Sequence, residues 1–535
     1  MHRLGSAAEL ANRLRTLPER REQRRAERDT AARLAAAEAA LERSRLRRHW
    51  AYGIAASLGL GLIVSLLLFW EATQQRRAAQ RALAMSEAVV EFLDRDLLRA
   101  ADPLEAGGNR NVTVANVLDK ASRSLRARFA DQPEVSQRLA YTIARAYQSL
   151  GLGEQGRQLL LAELEAHKAA DSPQLRRLRF LLADIDTEYD RYAESASLLD
   201  GLLADLRASH EEQGSLAFDV RLSRAWLDFE LGYYEQSRVG FMAILEDLAR
   251  WRPDDRETRM TAQWWMVDPL RELGRLEEAD ARLGEVLADY VGIYDANNAR
   301  YLWARTSLGN LRISQRRFEE AEAVLLDVEQ RIRSSLGDSH NIGLFATYFR
   351  GVLRLRQGRV AEALPFLEES YRLRKQYQGE GSHSTWLAAN RLAQALSKLG
   401  QVERVGHVLD PAYESAVRNV GLDHPYSIRL ASTRVQHLLL RGQVDTASEQ
   451  LALALEHVDA RLPALHVTRA ELLYRQAQIR LSRGDIVGAR EKWLASAAML
   501  RELGEVPAAE MAERLAAEAA NPAKDWLQKS TLLPV

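Results

Sequence analysis

Residues 231–237 read LGYYEQS, 273–279 LGRLEEA, 315–321 QRRFEEA, 357–363 QGRVAEA, 399–405 LGQVERV, 441–447 RGQVDTA and 483–489 RGDIVGA. From each start to the next the step is the same, forty-two positions. YDRYAES (189–195) lies in the same phase, and LGLGEQG (150–156) precedes it by a slightly shorter step. Self-similarity at a fixed period marks a chain built from stacked units that pack on their neighbours rather than around one core. The shared position is a turn, occupied by Gly151, Asp190, Gly232, Gly274, Arg316, Gly358, Gly400, Gly442 and Gly484.

Two further columns repeat with the turn. Seven residues before it lie Ala144, Ala183, Ala225, Val267, Gly309, Gly351, Ala393, Val435 and Ala477. Five residues after it lie Gly156, Ser195, Ser237, Ala279, Ala321, Ala363, Val405, Ala447 and Ala489. Two antiparallel helices joined by a short turn approach closely only where small side chains face each other. The turn residue ends the first helix in a left-handed conformation that costs least without a Cβ. A larger residue two past the turn, such as Tyr192, Tyr234, Phe318 or Val402, closes the apolar seam.

This pattern resembles the tetratricopeptide repeat. The resemblance covers about residues 130–515 and implies an all-α, right-handed superhelical solenoid of about nine helix pairs. The unit is longer than the family's usual ~34 residues. Gly421-Leu422-Asp423-His424-Pro425 is similar to the linker of the kinesin light-chain type, and Leu336-Gly337-Asp338-Ser339-His340 matches it in part. His466 follows His424 by one full repeat, so these histidines read as linker residues and not as ligands or catalysts.

Composition agrees with helix. Aromatics are 7% of the 535 residues, and proline occurs 13 times. There is no cysteine, which excludes disulfides, thiol nucleophiles and Cys-ligated zinc. The net charge is zero, yet residues 1–49 hold 13 Arg against 7 acids, leaving the remainder mildly acidic. An acidic body argues against nucleic acid as a partner.

Residues 51–70, AYGIAASLGLGLIVSLLLFW, carry no charge. Twenty helical residues span about 30 Å, the thickness of a bilayer core. Trp50 and Tyr52 flank one end, and Phe69 and Trp70 the other, as interfacial aromatics do. Fifty residues precede the segment and bulky residues end it, unlike a cleaved signal peptide. Arg33, Arg43, Arg45, Arg47 and Arg48 outnumber Arg76, Arg77 and Arg81 across it. This excess places the N-terminus in the cytoplasm and the repeats outside, at a bacterial inner membrane with the solenoid in the periplasm. Gly53, Ser57, Gly61 and Ser65 recur at every fourth position. They read either as a face for a homodimer or as small residues common in such helices. The divisions are a basic helical segment (1–49), a transmembrane helix (50–70), a helical linker or cap (71–129), the solenoid (130–515) and a tail (516–535).

A second resemblance covers residues 86–165. SEAVVEFLDRDLLRAADP and NVTVANVLDKASRSLRARFADQPEVSQRLAYTIARAYQSLG resemble the part that follows the membrane helix in bacterial membrane-bound Ser/Thr protein kinases. Arg3 to Leu10, with Arg13 and Leu14, is similar to the end of such a kinase domain. The resemblance implies the sensor portion of a kinase whose catalytic domain is missing from this chain. No kinase catalytic motif is present, and the stretch before the membrane segment is too short to hold the domain.

Gly151-Leu152-Gly153-Glu154-Gln155-Gly156 matches a dinucleotide-binding pattern, but it lies at a repeat turn between helices, where no strand precedes it. No catalytic constellation, metal-ligand spacing or cofactor motif is found. Function therefore rests on the inner face, which the resemblance assigns to the first helix of each pair. Trp226, Phe229, Trp264, Asp268, Trp303, Asn310, Phe345 and Tyr348 fall on that face in repeats three to six. Asn390, Gln394, Gln436, Tyr474 and Gln478 fall there in repeats seven to nine. Aromatics anchor protein or peptide partners, and side-chain amides bond an extended backbone. The alternative is that the same aromatics fill space between units.

Overall fold

The computed structural model describes residues 57–76, 113–168, 171–335 and 340–522, with six further positions between 22 and 33. Among these, the only regular secondary structure is helix. The chain divides into two bodies, residues 1–94 and 95–535.

The described part of the first body is dominated by one helix, Ser57–Arg76, with a mean hydropathy of 1.4. By length and composition it can cross a membrane. Its leucines and Phe69 and Trp70 are exposed all round, as suits an apolar surrounding. Ser57, Gly61 and Ser65 lie on this helix; Gly53 falls outside the described residues, as do the linker motif at 336–339 and most of the kinase-like stretch before Thr113.

Among the described residues, the second body is a stack of nine helix pairs. The first helices are Pro133–Ser149, Pro173–Glu188, Ser215–Glu230, Arg256–Trp265 with Val267–Glu272, Ala299–Ser314, Asn341–Arg356, His383–Lys398, Pro425–Leu440 and Val467–Ser482. The second helices begin at Gly153, Tyr192, Tyr234, Leu276, Phe318, Val360, Val402, Val444 and Ile486. A helix before the stack (Val114–Arg128) and one after it (Val506–Glu518) cover its ends.

All nine turn positions have positive φ, from 59° at Arg316 to 84° at Gly232. At Gly232 the turn closes by two bonds, from Gly232 N to Phe229 O (2.9 Å) and from Tyr233 N to Asp228 O (2.8 Å). These satisfy carbonyls that the helix end would otherwise orphan. Asp190 and Arg316 adopt this conformation despite their Cβ atoms, and both are tied down by distant partners described below.

The small columns meet as the spacing requires. A Cβ on Gly351 would lie 2.7 Å from Leu367 Cδ2, and one on Gly156 would lie 3.1 Å from Ala144 O. Ser195 donates to Ala183 O at 2.9 Å, so the polar group in this contact is satisfied. His340, His424 and His466 cap the first helices of units 6, 8 and 9. The Nδ1 of each accepts the backbone N–H two residues on, at 3.3, 3.3 and 3.1 Å. Their role is structural, as the linker position implied.

One first helix departs from regularity. In unit 4 it breaks at Met266, because Pro269 has no N–H to give to Trp265 O and its ring crowds that carbonyl. Trp264 and Asp268 therefore stand on either side of a kink.

Each first helix packs on the first helix of the next unit, whereas second helices pack chiefly on first helices. First helices thus form the inner side of the curl. The curl is tight enough to close on itself. His383, at the start of unit 7, gives its backbone N–H to Asp190 Oδ2 (2.9 Å) and sets its ring Nδ1 2.8 Å from Asp190 Oδ1. Tyr426 donates to Glu230 at 2.8 Å, and Arg429 donates to Glu272 at 2.7 Å. His466 Nε2 lies 3.2 Å from the same Glu272 oxygen. Glu505, at the start of the closing helix, receives Arg316 (3.2 Å) and Arg356 (2.6 Å). His424 stacks on Tyr192 and His466 on Tyr234. Asp190 pairs with His383 and Glu272 with His466, 193 and 194 residues apart. The turns of units 2 to 5 thus rest on the leading ends of units 7 to 9 and the closing helix.

Candidate functional site: the inner face

The inner face has three regions, each built from first-helix positions at the same offsets from the turn. Units 2 to 4 contribute acids. Asp184 accepts from Gln148 (3.1 Å) and Asp268 from Arg271 (3.4 Å), and burial raises the pKa of both carboxyls. Glu272 differs. Burial opposes its charge, but Arg429, Arg271 and His466 surround it and hold its pKa well below the usual carboxylate range.

Units 3 to 6 contribute an aromatic arc. Trp226 lies 5.0 Å from Phe229 and 5.6 Å from Trp265, and Trp303 lies 5.2 Å from Phe345, centroid to centroid. Trp264 donates its indole N–H to Ser307 at 3.0 Å, across the unit boundary. Trp226, Phe229, Trp264, Trp303 and Phe345 are all half-buried, as are Asp268 and Asn310. Each ring packs in part against the core between units and keeps part of its surface exposed.

Units 7 to 9 are different. Of the residues expected on this face, Gln394 is half-buried, but Asn390, Gln436, Tyr474 and Gln478 are buried, as is Tyr348 in unit 6. Neighbouring first helices cover them. Their polar atoms bond one another: Thr433 donates to Asn390 (2.7 Å), and Arg475 donates to Gln436 (2.8 Å) and Gln478 (3.0 Å). These amides hold neighbouring first helices together instead of lying open along a groove.

Arg374 was not anticipated. Its guanidinium carbon lies 4.0 Å from the centroid of Phe345 and 5.6 Å from that of Tyr348. Nε donates to Ser370, while both terminal nitrogens are buried without a partner. Burial lowers its pKa to about 10. A signal was available. The same place in the second helix, counted from the turn, holds Leu206, Leu248, Tyr290, Ile332, Ala416, Val458 and Leu500 in other units, all of them buried. Arg374 stands in that core column and so puts a cation beneath the aromatic arc.

No known family and no curated protein matches the sequence. Solved structures do match the arrangement of helices. A Rap protein complexed with Competence and Sporulation Factor is 13% identical, over 75% of this chain and 99% of that one, with a TM-score of 0.48. A putative kinesin light chain from Podosopora anserina with TPR-like repeats is 19% identical, over 37% and 94%, with a TM-score of 0.32. The apo quorum sensor NprR from B. thuringiensis is 12% identical, over 71% and 97%, with a TM-score of 0.40. The chain is thus similar to these in being an all-helical solenoid of tetratricopeptide-like pairs.

Proposed function

We propose that this chain is a single-pass membrane protein whose solenoid captures a protein or peptide segment on the aromatic arc of units 3 to 6. The observation that carries the reading is the arc itself. Five large rings on the first helices of units 3 to 6, Trp226, Phe229, Trp264, Trp303 and Phe345, are half-buried instead of completing the core. Aromatic side chains fixed by packing on one side anchor a partner at low entropic cost on the other. The flanking acids give the face polarity, so a bound segment has a preferred direction. The helix Ser57–Arg76 is the anchor, with the N-terminus in the cytoplasm and the solenoid in the periplasm.

A photo-crosslinking residue placed at Trp264 or Trp303 in cells, followed by identification of the adduct, tests the binding reading. One defined partner should recur from both positions, and Trp264→Ala or Trp303→Ala should weaken its recovery about tenfold with helicity unchanged. Equal recovery by the variants and the wild type counts against the arc. Extraction of the full chain from membranes by alkaline carbonate would refute the anchor.

A further inference from the structure

A cavity of about 620 Å³ lies at the first unit, apart from the aromatic arc. One wall is the helix before the stack, Val114–Arg128, which lines it with Asp119, Arg123 and Arg126. These stand at i, i+4 and i+7, on one face of that helix. The opposite wall is the second helix of unit 1, Gly153–Ala166, which contributes Leu159 and Glu163. Both walls pack on Pro133–Ser149 and scarcely on each other, which leaves the gap between them. Tyr147 of that shared helix also lines it.

Glu163 is out of place in its column. The same offset from the turn holds Leu202, Ile244, Val286, Val328, Ser370, Ala412, Ala454 and Ser496 in units 2 to 9, apolar or small and all buried. Glu163 is itself only 1% exposed. Its Oε1 accepts from Ser136 at 3.0 Å, but Oε2 is buried without a hydrogen bond. His167 Nε2 stands 3.7 Å from that oxygen, too far for one. A buried carboxylate with an unsatisfied oxygen costs stability that an apolar residue in this column would not. Asp119, by contrast, is satisfied. Tyr147 donates to its Oδ1 at 2.6 Å, and burial, followed by that bond, pushes the phenol up to about 12, so its proton stays in place. Arg123 and Arg126 are exposed, and among the described residues neither joins an ion pair.

We propose that this cavity binds a small aminocarboxylic zwitterion, whose ammonium group bonds the free oxygen of Glu163 and whose carboxylate meets Arg123 and Arg126. Two acids and two arginines line the cavity, so a ligand with one charge of each sign leaves it balanced. Leu159, with Ala127 and Ala162, gives the carbon chain of the ligand an apolar strip. The face from Asp119 to Arg126 extends about 10 Å along its helix, which suits a ligand with several bonds between its charges. Such a ligand touches both walls and fastens the helix Val114–Arg128 to unit 1. This site lies outside the peptide-binding face, and neither reading depends on the other.

Isothermal titration calorimetry on the full chain in detergent tests this with three probes of matched length, 6-aminohexanoate, 1,6-diaminohexane and adipate. The zwitterion should bind about tenfold more tightly than the dication or the dianion. Glu163→Gln should weaken it about tenfold, as should Arg123→Gln combined with Arg126→Gln. Glu163→Leu, which restores the column, should abolish binding and raise the melting temperature of the ligand-free chain, so that lost binding is not lost folding. Hydrogen exchange in Val114–Arg128 should slow when 6-aminohexanoate is added. Wild-type binding by Glu163→Gln or Glu163→Leu, or no binding of any probe, overturns the site. Binding of the diamine or of adipate at least as tight as that of 6-aminohexanoate overturns the zwitterion as its ligand. Binding that leaves exchange in Val114–Arg128 unchanged overturns the bridge between the two walls.

Discussion

Single residues in this fold fail for different reasons, and the repeat separates them. Gly351 and Gly358 belong to the same unit. A Cβ at Gly358 meets nothing within 4 Å, but φ there is 75°. Gly358→Ala should therefore cost about 1–2 kcal/mol through backbone strain alone, and Gly358→Asn should recover part of that loss. At Gly351 the backbone is ordinary and the obstacle is Leu367. Gly351→Ala should cost about 1–3 kcal/mol through overpacking, and asparagine should be worse than alanine. Urea unfolding of the four variants checks both statements. Asparagine favoured over alanine at Gly351 would show that its conformation, not its space, is what matters. These two glycines were legible in the sequence because turn and contact recur in fixed columns. Arg374 was legible only against its own column, since a lone arginine in a chain with 74 basic residues carries no signal by itself.

Among elements, the closure between distant units dominates. Glu272 sits among Arg271, Arg429 and His466, so Glu272→Gln leaves two half-buried arginines facing a neutral amide. Breaking a fully buried pair from one side costs about 3–5 kcal/mol, and the partial exposure of the arginines here should bring the loss below that range. The variant Glu272→Gln with Arg429→Met should recover part of that loss, and a purely additive result in guanidinium unfolding would show that the two residues are not coupled. His383 gives the closure a pH dependence. Burial opposes its charge, but the attraction and hydrogen bond of Asp190, with Glu230, lift its pKa to about 9 despite Arg374 nearby. Glu188, Tyr426 and His424 complete its charged and titratable surroundings. A raised pKa means stability that is fully present below the unfolded value of 6.5 and is lost as pH rises through 9. The loss should be roughly 3 kcal/mol over that window. Thermal midpoints should fall from pH 6.5 to 9 in the wild type and stay nearly level in His383→Gln. Parallel curves would remove His383 as the cause. None of this closure was legible beforehand. The fixed period decides which helices pair, but the pitch of the curl follows from small packing angles summed over units. The kink at Pro269 was legible in principle, because a proline inside a helical segment forbids the bond that continues it.

For the whole molecule, the sequence specified the stack and its inner side, and the structure added that the stack returns onto itself. The amides of units 7 to 9 are buried by bonds between neighbouring first helices, while the aromatics of units 3 to 6 are half-buried. The closed curl is the claim on which the account of the whole molecule rests. The chain has no cysteine, so two introduced cysteines can carry spin labels without background. Labels at Glu194 and Glu380, both exposed and each within a few residues of the Asp190–His383 contact, allow pulsed electron–electron distance measurement on the full chain. A single narrow distribution at short distance, broadened when Asp190→Ala is added, is the result the closed curl predicts. A broad distribution centred at the separation of an open solenoid, insensitive to Asp190→Ala, would contradict it.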